Sequence, residues 1–346
     1  MQTSLKAYAT AIKGLDYTIE FKNLRCLMHI LYPPIKPYAC HELAVNKPHV
    51  LYLEEVGNPD GVPIIVLHPG PGAGGDTHLR RFFDPQHYRI IIFDQRGSGR
   101  STPHAELTDN RTQHLLDDID AIRDFLNLNH FVLFGGGWGS LLALLYAQLF
   151  PQHIKALLLH QVYLGRQQDI SWFYKKGASL IYPDYWQAFI QGIPDNQLEK
   201  IPAYYSECLQ GTNELARMSA AKNWALWQAH CSSLQPHLNV IDQYSDTHFA
   251  LGLATLESHY INNNYFITEN QVLANVHKIR HIPSYLVHGR YDMVCPLEGA
   301  WALHQALPAS NLRIVRDAGH SDRESGIIDA LIDASHEILK LDMAAS

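Results

Sequence analysis

The chain has 346 residues, of which 47% are hydrophobic and 18% are charged, and it carries a net charge of −7. This length and composition are typical of a globular protein built on one large domain with room for an inserted subdomain. The acidic balance argues against a nucleic-acid partner, since such partners are usually bound by basic patches. Five scattered cysteines and 21 histidines without a metal-binding motif predict neither a disulfide framework nor a metal or other cofactor.

Membrane and secretory features are also missing from the sequence. The longest apolar run covers residues 141–147, far below the roughly 20 residues that cross a bilayer. Residues 1–27 contain no continuous apolar segment of the secretory type. We therefore expect a cytoplasmic protein that does not bind membranes.

From about residue 49, strand-like and helix-like segments alternate along the chain. Short apolar segments predict strands at 49–56, 63–67, 89–93, 131–134, 156–160, 284–288 and 312–316. Helices are predicted at 112–128, 138–149, after Pro296 and at about 325–341. In the first helix, four aspartates are expected mostly to face away from the apolar stripe: Asp117, Asp118, Asp120 and Asp124. This alternation predicts an α/β fold with a mainly parallel, doubly wound sheet that is covered on both faces.

Between about residues 166 and 275 the strand signal fades, and Trp, Tyr, Gln and Asn become frequent. This stretch predicts short helices that are broken at Pro183, Pro194, Pro202 and Gly211. The simplest architecture has a core at 31–165 and 275–346, a helical cap at 166–274 inserted after the fifth or sixth strand, and an N-terminal extension at 1–30.

Residues 134–140 read F-G-G-G-W-G-S, between an apolar strand-like run and a helix-like run. A tight turn from strand to helix is where α/β-hydrolases carry G-x-S-x-G, with a serine nucleophile at its centre. Here the flanking glycines, Gly135 and Gly139, are present, but Gly137 occupies the centre. The segment is therefore either a nucleophile site that has lost its serine or only a glycine-rich turn.

Other loops at the carboxyl ends of predicted strands carry groups that such chemistry needs. Residues 68–75 form a loop rich in Gly and Pro that suits oxyanion binding, with Gly70 as the donor because Pro69 has no N–H. Residues 94–101, DQRGSGRS, form either a turn with solvated charges or, given their position, a support for the site. Asp292 and His320 follow the last two predicted strands, which gives the triad order nucleophile, acid, histidine.

The chemistry requires these residue types together. A serine hydroxyl becomes a strong nucleophile when a histidine accepts its proton and an aspartate fixes the histidine tautomer. The resulting oxyanion needs preorganised N–H donors, for which Gly70 and Trp138 are the candidates. With Gly137 no covalent acyl-enzyme can form at that position, although His320 could still orient a water. Ser140 is expected to point away from the turn, so it is no obvious substitute.

Several long segments carry a family resemblance. They run from LYPPIKPY at 31–38 to about Ile327 and include LYLEEVGNPDG, RRFFDPQHYRIIIFDQRGSGRSTPHA, LGRQQDISWFYKKGAS, YPDYW, HGRYDMVCP and AGHS. The chain resembles the prolyl iminopeptidases, which are serine aminopeptidases of the α/β-hydrolase fold that remove N-terminal proline. This resemblance implies a site between sheet and cap, a small peptide with a free N-terminal proline as ligand, and an extension at residues 1–27 that precedes the shared region.

The resemblance also implies a set of substrate-binding residues. Glu257 matches a family glutamate that holds the α-ammonium of the substrate, and Glu324 matches another acidic position. Tyr163 and Phe173 lie where the family builds its proline pocket.

The chain departs from the family pattern at several of these positions. Gly137 replaces the family serine, Gln228 replaces a second amine-binding glutamate, and His160 stands where the family has an arginine. Removing one negative charge weakens charge-assisted pairing with an ammonium. Three readings stay open. The chain is a family enzyme that lost its serine and has very low or absent activity, a natural pseudoenzyme that binds such peptides or another small ligand without turnover, or a different esterase or amidase of the same fold.

Overall fold

The computed structural model describes residues 28–235 and 238–343. The strands are β1 (Ala39–Ala44), β2 (Val50–Gly57), β3 (Val62–Leu67), β4 (Tyr88–Phe93), β5 (Phe131–Gly136), β6 (Ile154–His160), β7 (Ser284–Gly289) and β8 (Ser310–Val315). They form one 8-stranded sheet in the order β1-β2-β4-β3-β5-β6-β7-β8. Strand β2 pairs antiparallel with β1 and β4, and the other neighbouring strands are parallel. The predicted α/β fold with a mainly parallel sheet is confirmed.

The α-helices lie between and after these strands. They are α1 (Thr112–Phe125), α2 (Trp138–Leu149), α3 (Gln167–Tyr174), α4 (Ala178–Ile181), α5 (Pro183–Ile190), α6 (Ile201–Gln210), α7 (Glu214–Cys231), α8 (Leu238–Ser245), α9 (Thr247–Asn262), α10 (Gln271–Ala274), α11 (Leu297–Ala306) and α12 (Ser325–Met343). Each helix predicted from the sequence is present, within a few residues of its expected ends.

The sheet is covered on both faces, as its apolar strands require. In β5, Phe131 and Leu133 face one buried apolar cluster, whereas Val132 and Phe134 face a second cluster on the opposite side. This alternation follows from the two-residue period of a strand, even though all the residues of β5 are buried. Helix α12 packs on the second cluster through residues such as Leu331.

The segment between β6 and β7 contains helices α3 to α10, and none of its described residues lies in a strand. We call these helices (Gln167–Ala274) the cap. The apolar cluster on the first face of the sheet continues into the cap, where Trp224 and Trp227 are buried. The carboxyl ends of the central strands therefore lie under a helical layer that belongs to the same apolar core.

Helix α1 corrects one sequence expectation. Asp118 does not face solvent but is buried, and it pairs with the buried Arg96 at 2.6 Å and 2.7 Å. The apolar periodicity predicted the inner face of the helix but gave no sign that one aspartate would be enclosed with an arginine from the β4–α1 connection.

The predicted N-terminal extension lies mostly outside the described residues, which begin at Met28. Its last part contacts the fold, since the backbone N–H of His29 donates to Asp329 of α12 at 2.7 Å. Across the described ranges, none of the helices combines the length and apolarity that a membrane crossing requires.

Candidate active site

The turn between β5 and α2 places Gly137 at its tip. The backbone there has φ 53 and ψ −120, in the region that glycine adopts without a Cβ penalty. A Cβ at Gly135 would stand 2.3 Å from the carbonyl oxygen of Gly139, and one at Gly139 would stand 2.2 Å from that of Leu67. The flanking glycines therefore permit close backbone packing. A Cβ at Gly137 would have only Gln161 within 4 Å, with Oε1 at 3.8 Å, so a side chain fits there sterically.

The structure brings Asp292 and His320 together beside this turn. The Nδ1 of His320 lies 3.0 Å and 2.9 Å from the two carboxylate oxygens of Asp292. Oδ1 of Asp292 also accepts the backbone N–H groups of Val294 and Cys295 at 3.0 Å and 2.8 Å. Burial would raise the pKa of Asp292, but the neighbouring His320 and these hydrogen bonds outweigh it and lower the pKa. The ionised carboxylate thus fixes Nδ1 as the protonated nitrogen and leaves Nε2 for a reaction partner.

The predicted oxyanion donors lie at the same cavity. Gly70 has φ 129, which its loop requires, and it lines the cavity together with Trp138, Gly137 and His320. Within the described ranges, the backbone N–H groups of Gly70 and Trp138 have no protein acceptor. Free amides at a strand–helix turn are the kind of donor that stabilises an oxyanion, and this role stays a prediction.

The DQRGSGRS loop at residues 94–101 hydrogen-bonds to both the oxyanion loop and the turn at Gly137. The backbone N–H of Gln95 donates to Nε2 of His68 at 3.0 Å, and its side chain accepts from the indole N–H of Trp138 at 2.8 Å. The carboxylate of Asp94 accepts the backbone N–H groups of Gly75 and Arg100 at 2.6 Å and 2.8 Å. Asp94 is buried rather than solvated, so the loop positions both the oxyanion loop and the turn.

The cavity lies between the sheet edge and the cap and encloses about 620 Å³ of open space, including its mouth. Its lining combines predicted residues with several that the sequence did not single out. The lining residues are Pro69, Gly70, Ala73, Gly137, Trp138, Tyr163, Asp169, Phe173, Tyr174, Gln228, Tyr244, Leu253, Glu257, Tyr265, Val294, Cys295 and His320. Tyr174 and Tyr265 were missed because an aromatic-rich cap gives no sign of which rings face inward.

Glu257 lies half-buried at the cap side of the cavity. Its carboxylate accepts from the indole N–H of Trp224 at 2.8 Å, from the hydroxyl of Tyr174 at 3.2 Å, and from the amide of Gln228. Burial is the main influence on this group and raises its pKa to about 7, although these hydrogen bonds act in the opposite direction. Near neutral pH, Glu257 therefore exchanges between a neutral acid and an anion that could hold an ammonium.

Aromatic rings form the apolar wall that the sequence predicted around Tyr163 and Phe173. The hydroxyls of Tyr163 and Tyr265 are 2.7 Å apart, and the ring of Tyr265 lies 5.6 Å from that of Trp138. Phe173 packs 5.3 Å from Trp227. The wall suits a small apolar ring held between the turn and the cap.

Two sequence-predicted residues lie outside this cavity. Glu324 does not line it. Its carboxylate instead accepts the backbone N–H groups of Leu234 and Gly319 at 3.1 Å and 2.5 Å, which ties the loop of His320 to the cap. His160 is buried behind the turn, stacked 5.0 Å from Phe134, with both ring nitrogens unpartnered. Burial lowers the pKa of His160 to about 3, so the ring is neutral.

Two further groups bear on the chemistry. The hydroxyl of Ser140 donates to the carbonyl of Gly137 at 2.7 Å and accepts the N–H of Tyr163 at 2.9 Å, so it points away from the tip as expected. Donor atoms of Asp292, Cys295 and His320 lie within 4.8 Å of one another. Burial raises the pKa of Cys295 well above its usual range, which keeps the thiol protonated and disfavours metal ligation by this set.

A family model and individual relatives both relate this chain to α/β-hydrolases. Residues 62–326 match the family model of the alpha/beta hydrolase fold. The chain is 45% identical over 309 residues to a probable proline iminopeptidase of Leptolyngbya boryana, covering 89% of this chain and 96% of the relative. It is 43% identical to the proline iminopeptidases of Xylella fastidiosa strain 9a5c, with 89% and 99% covered, and of Arabidopsis thaliana, with 90% and 82% covered.

Solved structures support the fold alone, because their sequence identity is low. A proline iminopeptidase-related protein from Thermus thermophilus superposes with a TM-score of 0.58 at 20% identity, covering 89% of this chain and 98% of that one. A putative aryl esterase from Burkholderia cenocepacia gives a TM-score of 0.61 at 17% identity, with 88% and 100% covered.

Proposed function

We propose that the cavity receives the free amine and the ring of an N-terminal proline. The premise is that the chain belongs to the proline iminopeptidase family of α/β-hydrolases. Glu257 would pair with the ammonium, with Gln228 orienting its carboxylate. Phe173, Tyr163 and Tyr265 would enclose the ring. The ligand is a small peptide with a free N-terminal proline.

We further propose that peptidase activity is very low or absent. The observation that carries this is the composition of the site: a hydrogen-bonded Asp292–His320 pair faces a turn whose central residue, Gly137, has no side chain. Without a hydroxyl, the histidine has no nucleophile to deprotonate, and no acyl-enzyme forms. His320 could act as a general base toward water, with the amides of Gly70 and Trp138 binding the oxyanion, but triad knockouts retain only about 10³–10⁴-fold acceleration over water.

A second candidate is a natural pseudoenzyme that binds such ligands without turnover. Gln228 favours it, because a neutral amide replaces a family glutamate beside Glu257 and so weakens the attraction for an ammonium. A chain that had lost only its serine would be expected to keep that second carboxylate. The two candidates differ in what restoring the serine does.

The test is hydrolysis of proline p-nitroanilide by the unmodified chain and by Gly137→Ser, measured side by side. We expect the serine form to gain at least about 10³-fold in kcat/KM. If neither form hydrolyses the substrate although the ligand binds, the pseudoenzyme is favoured. A matched Gly137→Ser, His320→Ala double variant should abolish any gain. Turnover by the unmodified chain that His320→Ala abolishes would contradict the proposal that Gly137 disables the site.

A further inference from the structure

We propose that the cavity holds a free α-imino acid such as proline, a zwitterion whose carboxylate occupies the place beside Gly137 that a nucleophilic side chain would fill. The inference rests on the proposed function for the ring and the amine of the ligand. It adds the chemistry of the other end of the ligand, where a free acid replaces a peptide bond.

The turn is open at this one position. A Cβ at Gly137 would meet nothing closer than Oε1 of Gln161 at 3.8 Å, whereas a Cβ at Gly135 or Gly139 would lie within 2.3 Å of backbone. Gly137 lines the cavity, so the opening faces the ligand. The space left by the missing side chain is thus continuous with the space for the ring.

Polar groups around this opening are suited to a carboxylate. The amides of Gly70 and Trp138 lack a protein acceptor in the described part of the chain, and Nε2 of His320 is not engaged by Asp292. One carboxylate oxygen would accept from the two amides, and the other would occupy the opening beside Gly137. Oε1 of Gln161 is buried there without a partner, which indicates that a hydrogen-bonding group belongs in this space. A water that donates to Oε1 and to the ligand satisfies both.

A free acid fits this arrangement better than a peptide does. The carboxylate of a free acid can turn about its bond to the α-carbon, because no chain follows it. It can therefore direct one oxygen to the amides and the other into the opening beside Gly137. A peptide presents one carbonyl oxygen and a continuing chain, so it leaves the opening unfilled. The ammonium and the carboxyl carbon sit on the same α-carbon in both ligands, so the end at Glu257 is unchanged.

The charges of the cavity match a zwitterion. Two carboxylates line it among the described residues, and Asp169 is already paired with Arg166 at 2.8 Å. Glu257 therefore supplies one unpaired negative charge at the amine end. Gln228 donates to Glu257 without adding a second negative charge, which would repel the ligand's own carboxylate. The cavity thus offers an anion at one end and hydrogen-bond donors at the other.

Calorimetric titration of the full chain at about pH 8, where Glu257 is mostly ionised, tests this inference. L-proline should bind with a Kd at least about tenfold lower than that of L-prolinamide, which keeps the ring and amine but lacks the carboxylate. N-acetyl-L-proline, which lacks the ammonium, should bind more weakly than L-proline. Prolinamide binding as tightly as proline would overturn the inference and leave the proposed function standing. If neither L-proline nor L-prolinamide binds, both the inference and the proposed function are overturned.

Variants then locate the carboxylate. Gly137→Ala places a methyl group in the opening, so it should weaken L-proline by at least about tenfold and prolinamide by less than about threefold. Gly192→Ala is the matched control, because Gly192 also has a positive φ and open space around its Cβ position but lies away from the cavity. It should change neither affinity. Equal losses for both ligands in Gly137→Ala would overturn the placement of the carboxylate.

Discussion

At the residue scale, the absence of a side chain at Gly137 determines both the chemistry of the site and the stability of the turn. Its φ of 53 is strained for an L-residue, while the surrounding space would admit one. Glycine therefore relaxes a turn in which a serine would be strained. Because a side chain at position 137 meets no steric obstacle, a substitution there can be tested separately for its effect on backbone strain and its effect on catalysis.

We expect Gly137→Ser to lower the free energy of unfolding by about 1–3 kcal/mol, since it forces a side chain into a positive-φ conformation. Urea unfolding measures the change. Gly192→Ser, at φ +87 with no atom within 4 Å of its Cβ position, is the control for strain alone. It should lose a similar amount and gain no hydrolytic activity. A serine form at 137 that is more stable than the unmodified chain would contradict this account of the turn.

Glu257 predicts a specific pH dependence of stability. Burial raises its pKa from 4.5 to about 7 in the folded protein, so the folded state binds this proton more tightly than the unfolded chain does. The carboxyl therefore stabilises the fold fully below pH 4.5, and this contribution is lost as the pH rises through about 7. Glu257→Gln stays neutral and should escape the loss, which amounts to about 3 kcal/mol. Urea unfolding of both proteins at about pH 5 and pH 8 measures the difference, and parallel pH profiles would refute it.

At the element scale, α1 is fastened to the connection after β4 by a buried ion pair. Arg96 and Asp118 are fully enclosed and joined by two hydrogen bonds at 2.6 Å and 2.7 Å. Asp118→Asn leaves the buried guanidinium without its counter-charge and should lower the free energy of unfolding by about 3–5 kcal/mol. Asp124→Asn, which removes a largely exposed partner of Arg123 on the same helix, should change it by less than about 1 kcal/mol. Similar losses in both variants would contradict the role assigned to burial.

The elements also show what the sequence could and could not predict. Strands β3 to β7 are short apolar runs buried on both faces, so hydrophobicity alone identifies them. Strand β1 was missed because it is an edge strand, ACHELA, whose inward side carries His41 beside small and apolar residues. In the cap, helices break at Pro183 and Pro202 as predicted, since each proline lies in the first turn of a new helix, where its missing N–H costs nothing. The Asp292–His320 pair and the glycine turn followed from motif order, whereas the inward position of Tyr174 and Tyr265 depends on tertiary packing that no local pattern encodes.

At the scale of the whole molecule, the cap and the sheet share one apolar cluster and a set of polar ties. The ring of Tyr260 in α9 lies 4.7 Å from that of Trp138 in α2, and its hydroxyl donates to Asn110, just before α1, at 2.7 Å. Asn110 in turn donates to the carbonyl of the buried Arg96 at 3.1 Å. The cavity is therefore formed by two layers that cannot separate without exposing the core of each.

This continuity predicts that cap and sheet unfold together. Four of the six tryptophans, Trp172, Trp186, Trp224 and Trp227, lie in the cap, so tryptophan fluorescence reports mainly on that layer, whereas far-UV circular dichroism reports on the whole backbone. The two signals should give coincident urea transitions. Tyr260→Phe, which leaves the buried Asn110 oxygen without its donor, should shift both transitions to lower urea by the same amount, with a loss of about 1–3 kcal/mol. A fluorescence transition that precedes the dichroism transition would mean that the cap opens as a separate unit, and the cavity would then be a site that the ligand itself must help to assemble.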